Sequence, residues 1–283
     1  MFLLVALVAA LCYAAAMVLQ QHSAADVDRA ASLRPALITA LLRRPWWLAG
    51  IAANLLGYGL RYVALSGGSL VLVQPVLATS LLFALPASAR WDRTRLRERD
   101  WVGAVALAGG VVLFLVAARP TAGRAGASGT AWLVTAIAVG AAVAIAVSLS
   151  ARLRDDARAR LLAAAGGLAI ALVAALTKAT ADSAGDHLLP RLTTWEPYAL
   201  VLAAAVGLLV VQSAFNAGPL ASSLPTLMVV ETVGGVALGM ILFGEGVHAG
   251  TASRLAEVAG LVLMVAGIVL VAGRERERVP TRT

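Results

Sequence analysis

Residues 64–75, Ala-Leu-Ser-Gly-Gly-Ser-Leu-Val-Leu-Val-Gln-Pro, return 150 residues later as residues 214–225, Ala-Phe-Asn-Ala-Gly-Pro-Leu-Ala-Ser-Ser-Leu-Pro. Ala64, Gly68, Leu70 and Pro75 align with Ala214, Gly218, Leu220 and Pro225 without a gap, and upstream Gly57 aligns with Gly207. Further on, the spacing of Gly103 and Gly110 is repeated by Gly260 and Gly267. Each copy joins two long apolar runs, so the question is what kind of fold carries such a repeat.

Composition answers the first part of it. The chain has 283 residues, 60% hydrophobic and 13% charged, where a soluble domain has roughly 45–50% and 25%. Nine apolar stretches predict helices at 2–21, 46–65, 69–89, 101–118, 130–149, 161–180, 197–215, 219–243 and 254–272. Each is long enough to cross about 30 Å of hydrocarbon at 1.5 Å per residue. The fold class is therefore an all-α, polytopic helical membrane protein. Leu33–Leu42, inside the loop 22–45, is too short to span and reads as an interfacial helix, with a thin tenth span as the alternative. The apolar N-terminus lacks a basic flank and a small-residue cleavage site, so it reads as a retained helix.

The formal charge of +8 and the many arginines call for a topological test before a nucleic-acid one. With the N-terminus outside, loops 22–45, 90–100, 150–160 and the tail after 273 carry 4, 5, 4 and 4 arginines. The opposite side carries Arg119, Arg124, Arg191 and Arg254, and Arg61 and Lys178 lie within helices. The excess marks the cytoplasmic face and places the C-terminus there. It accounts for the basicity with no nucleic-acid partner; the bilayer is the partner expected. The single cysteine, Cys12, excludes an intramolecular disulfide and a cysteine metal cluster, and the three histidines fall in different loops.

In this topology helix 46–65 runs inside to outside and its repeat mate 197–215 runs outside to inside. The same reversal holds for 69–89 against 219–243 and for 101–118 against 254–272. The expected organisation is thus two inverted-topology membrane repeats, four helices within 1–120 and five within 130–273, followed by a basic tail at 274–283. Inverted repeats are a recurrent architecture of secondary transporters.

The segments Arg44-Pro45-Trp46-Trp47-Leu48-Ala49-Gly50, Ala64-Leu65 with Gly68, Gln74-Pro75, and Leu242-Phe243-Gly244-Glu245 resemble the drug/metabolite transporter superfamily. The chain is most similar to its nine-helix branch of NIPA-type magnesium transporter-like proteins and their actinobacterial relatives. That resemblance implies transport across the plasma membrane of a prokaryote, with 69–89 and 219–243 bordering a central cavity. Family members often carry Glu-Pro in the penultimate helix; here the pair is Glu231-Thr232, which gives no reason for a kink.

An ionisable side chain inside a membrane is a functional candidate, because inserting it costs about 2.5–3.5 kcal/mol. Glu231 sits about twelve residues from either end of its helix, too deep to reach water, and is the cation- or proton-binding candidate, including for any metal. Asn54, Tyr58 and Arg61 stand at i, i+4 and i+7 and share one helical face, which points them toward a polar cavity. Gln74 precedes Pro75, and Pro75 and Pro225 each remove a backbone donor at repeat-related positions, the pattern of broken transport helices. Lys178, near an outer helix end, completes the substrate or ion set, and it could equally snorkel to the interface. Gly235 and Gly239 read as close helix packing, with a homodimer contact as the lesser reading. No cofactor is expected, and no phosphate-cradling loop or nucleophile–base spacing marks an enzyme. The expected activity is secondary transport of a small solute by alternating access. The alternatives are divalent-cation transport, a non-transporting partner subunit, or a lipid-linked flippase.

Overall fold

Apolar side chains on every face of a helix can be satisfied only by lipid or by other helices, and the chain uses both. A computed structural model describes residues 2–24, 27, 35–91, 98–117, 126–182, 194–217, 220–245 and 251–272. In order, the helices are α1 (Phe2–Ala24), α2 (Pro35–Leu41), α3 (Pro45–Ser66), α4 (Leu70–Ala78), α5 (Ser80–Trp91) and α6 (Glu98–Ala117). Then follow α7 (Gly129–Ser150), α8 (Asp155–Asp182), α9 (Glu196–Ala217), α10 (Leu220–Phe243) and α11 (Thr251–Ala272). Among the described residues nine helical segments are long and apolar enough to cross a membrane, α4 and α5 counting together as one. The protein is a multi-pass membrane protein.

The structure refines two details of the sequence reading. The span expected at 69–89 is two helices that break at Thr79, one turn after Pro75, where Thr79 turns its own N–H and its hydroxyl onto the Val76 carbonyl at 3.1 and 2.6 Å. Pro75 cannot donate to the carbonyl four residues back, so the ladder is already weakened where the break occurs. The segment within 22–45 forms the seven-residue helix α2, about 10 Å long and far too short for a tenth span. By contrast α10 runs unbroken through Glu231-Thr232 to Phe243. The tail after 273 and loop residues Arg119, Arg124 and Arg191 lie outside the described residues.

Burial separates a centre from a periphery. The α4–α5 span and α8 have 76% and 67% of their apolar windows enclosed, against 22% for α7 and α11, so the former are the hub and the latter face lipid. α1 packs along α3 and against α4 and α5, while α8 packs along α9 and α10. α6 and α11 form the most extensive contact and bridge the two groups. They run antiparallel: the Ser253 hydroxyl donates to the Ala117 carbonyl at 3.0 Å at one end, and Gly267 meets the backbone at Gly103 and Leu107 toward the other. Between these points Gly110 and Gly260 abut each other's helix so closely that a Cβ on Gly110 would lie 2.7 Å from the Gly260 carbonyl. Without a hydrophobic drive in lipid, such backbone approach is what holds two helices together.

Candidate functional site

The centre of the molecule contains a cavity of about 330 Å³ walled by α1, α3, α4, the start of α5, α8, α9 and α10. Its polar floor is assembled from three helices. Arg61, on the α3 face that also presents Asn54 and Tyr58, is 1% exposed and points its guanidinium at α4 and α10. One terminal nitrogen donates to the Gln74 Oε1 at 2.9 Å, and the other lies 3.6 Å from the Glu231 Oε1. Gln74 closes the triangle, its amide nitrogen donating to the Glu231 backbone carbonyl at 3.4 Å. The Arg61 Nε and the Tyr13 hydroxyl, both buried and both on the cavity wall, complete no well-formed hydrogen bond among the described residues, although the Tyr13 hydroxyl lies close enough to the Arg61 guanidinium to interact with it.

Small residues make this convergence possible. Gly235, one turn after Glu231, leaves the volume that the Gln74 amide occupies; a Cβ there would lie 2.7 Å from the Gln74 Cδ. Gly166 and Gly167 on α8 admit α9 at Val211 and α10 at Leu227 and Glu231, respectively. The Gly235 and Gly239 stripe is thus used for close packing of α10 on α4 within the chain.

A buried Arg–Glu pair is worth little net stability, because both ions lose their hydration, yet removing either partner strands a charge. A cavity that keeps such a pair beside incompletely bonded donors has polar capacity in excess of what the fold requires. The structure brings Asn54, Tyr58, Arg61, Gln74 and Glu231 to one cavity. Pro75 lies in α4 next to Gln74, one turn before the break at Thr79, whereas α10 runs unbroken through Pro225, so the repeat-related proline does not break its helix. Lys178 does not join them: its ammonium reaches the Leu65 carbonyl at 3.5 Å and Asp182 at 2.9 Å and sits 5.8 Å from the Phe243 ring centroid. Depth along the helix could not distinguish these environments, since α8 turns that face toward the end of α3.

Three polar features escaped the sequence reading. Tyr13 lines the cavity from α1 and meets Tyr58 edge-on at 5.5 Å between centroids. It stands alone among apolar residues, so no periodic partner marked it. Gln212 bridges α1 and α3: its amide donates to the Gln20 Oε1 at 2.7 Å and its oxygen accepts from the Trp47 indole at 3.4 Å. Glu245 is 3% exposed, and its two oxygens accept from the Leu70 and Val71 amides at 2.9 and 2.8 Å, capping α4 together with Ser69. Gly244, at φ 58°, provides the left-handed turn that folds Glu245 back onto α4. Burial pushes the Glu245 carboxyl above the usual range, partly offset by those two amides and by Lys178.

Comparison with known proteins agrees with this architecture. Residues 1–277 match the model of the family described as Magnesium transporter NIPA. An uncharacterized protein of Corynebacterium glutamicum is 35% identical over 245 residues, covering 86% of this chain and 84% of that protein. No solved structure matches. Among the described residues no three His, Cys, Asp or Glu side chains gather as a metal site.

Proposed function

Because the chain belongs to the NIPA magnesium transporter family, a branch of the drug/metabolite transporter superfamily whose members are transporters and not enzymes, we propose that it is a secondary transporter. It carries a small solute by alternating exposure of the α3–α4–α10 cavity in a prokaryotic plasma membrane. The observation that carries this reading is the buried Arg61–Gln74–Glu231 triangle on the floor of a 330 Å³ cavity. Glu231 is the coupling or cation-binding group, and Arg61, Asn54, Tyr58 and Gln74 orient the solute.

Support for two inverted repeats comes from the packing. By the repeat, Gly103 corresponds to Gly260 and Gly110 to Gly267; in space Gly103 meets Gly267 and Gly110 meets Gly260. Reciprocal contact of this kind is what a twofold axis between equivalent helices produces. The arginine distribution supports an N-terminus outside and a C-terminus in the cytoplasm.

Divalent-cation transport is the second reading, favoured by the family description. Against it, Glu231 is the one carboxylate on the described cavity wall and Arg61 already faces it. Mg²⁺ is bound by carboxylates with several retained waters, and a cation entering here would have to displace or tolerate a guanidinium. Thermal-shift screening of the purified chain against organic solutes and MgCl₂ separates the two, since a ligand that binds only the folded state raises apparent stability. We expect an organic ligand to give the larger shift and Glu231→Gln to abolish it. A shift with MgCl₂ alone that Glu231→Gln removes would establish the second reading instead.

A further inference from the structure

Among the described residues, buried side chains stand at both ends of the cavity and exposed ones at its side. Beyond Arg61 and Gln74 lie the buried side chains of Leu65, Leu70, Val73, Leu242 and Phe243. At the opposite end the buried Gln212, bonded to Gln20 and Trp47, crosses between α9, α1 and α3. Away from the Trp47–Gln212 hydrogen bond, α3 and α9 pack against each other far less than against their other neighbours, although both present residues to the cavity. Leu55 of α3 lines the cavity and is 65% exposed; Ala205 of α9 lines it and is also exposed. Leu55 is the eleventh of 22 residues in α3 and Ala205 the tenth of 22 in α9. A bilayer around the molecule therefore puts hydrocarbon, not water, at this mouth.

The floor constrains what can enter. Arg61 and Glu231 balance each other, so an occupant of unbalanced charge leaves a net charge in a low-dielectric site, whereas one bearing both signs does not. The Arg61 Nε–H, which completes no well-formed hydrogen bond beside Tyr13, can take an anionic oxygen, and the Glu231 carboxylate calls for N–H donors. We propose, building on the transport reading of this cavity, that it admits an amphiphile from the bilayer between α3 and α9. The zwitterionic head docks on Arg61 and Glu231 and the apolar chain lies in the mouth beside Leu55 and Ala205.

The test reconstitutes the full chain in phosphatidylethanolamine–phosphatidylglycerol vesicles containing a trace of phosphatidylethanolamine with a diazirine near the end of one acyl chain. After irradiation, adducts are mapped by peptide mass spectrometry. The expected result is adducts on the cavity-wall residues Met17, Leu208 and Met228 in addition to the outward-facing Leu56 and Val201. Leu55→Trp, which narrows the mouth, should reduce the cavity adducts severalfold and leave the outward ones unchanged. Arg61→Gln should reduce them for the phosphatidylethanolamine probe but not for a diacylglycerol probe with the same chain. Adducts confined to Leu56 and Val201, or equal cavity labelling by both probes in the parent chain and in Arg61→Gln, would overturn the proposal. Because labelling needs no gradient, such a failure alongside a ligand shift lost in Glu231→Gln removes the lateral route alone. Loss of the shift assay itself removes the transport reading.

Discussion

At the scale of single residues, energetics turn on groups that lose water and must be repaid by a partner. Arg61→Met leaves Glu231 buried without its cation and should destabilise the fold by about 3–5 kcal/mol, as should Glu231→Leu for Arg61. The double variant should cost much less than the sum, a coupling readable by unfolding titration in detergent. Glu245→Ala strips two amide donors at the start of α4 of a charged acceptor and should cost about 2–3 kcal/mol in the same titration. Much of this site was legible in advance. The i, i+4, i+7 spacing of Asn54, Tyr58 and Arg61 is a property of α-helix geometry alone, and all three do stand on one cavity wall. Lys178 was not legible in the same way: its place near an outer helix end fitted a binding and an interfacial role alike, and its partners, Leu65 and Asp182, depend on how α8 is rotated against α3. Glu245 was visible only as part of a motif, because its partner amides lie some 175 residues away.

At the scale of elements, glycine decides where helices may touch. Gly110→Ala would drive a Cβ to 2.6 Å from the Met264 amide and 2.7 Å from the Gly260 carbonyl, backbone atoms that cannot rotate aside. It should destabilise by ~1–3 kcal/mol. Combined with Gly260→Ala, whose Cβ would meet the Gly110 carbonyl, the costs should not add, since one separation of α6 from α11 relieves both. Gly235→Ala should act differently, displacing the Gln74 amide and weakening ligand binding more than stability, as thermal-shift titration of the ligand would report. Helix existence and approximate ends follow from apolar run length, which is why the spans matched closely. Pro75 marked a weak point in the sequence, but did not show that the ladder would end at Thr79, because one proline weakens a ladder in many helices and interrupts it only where side-chain and neighbouring contacts take up the freed carbonyls.

At the scale of the whole molecule, the arginine fringe makes a prediction independent of any substrate. A fluorescent protein fused to the C-terminus should be bright and alkaline phosphatase there inactive, the pattern of a cytoplasmic end; the reverse would refute the proposed topology and with it the inverted relation of the halves. The sequence by itself determined that this is a polytopic helical membrane protein, because run length, hydropathy and charge asymmetry are additive properties of the chain; the transporter family was implied only by the resemblance of its short motifs. It also set the glycine spacing that α6 and α11 share. Only the tertiary structure decided which polar residues meet, that Lys178 and Glu245 serve the α3–α4 end and not the cavity, and that exposed residues of α3 and α9 stand at the cavity's side. Those outcomes depend on helix rotation and on the few ångströms between backbones, and both emerge only when all the helices pack at once.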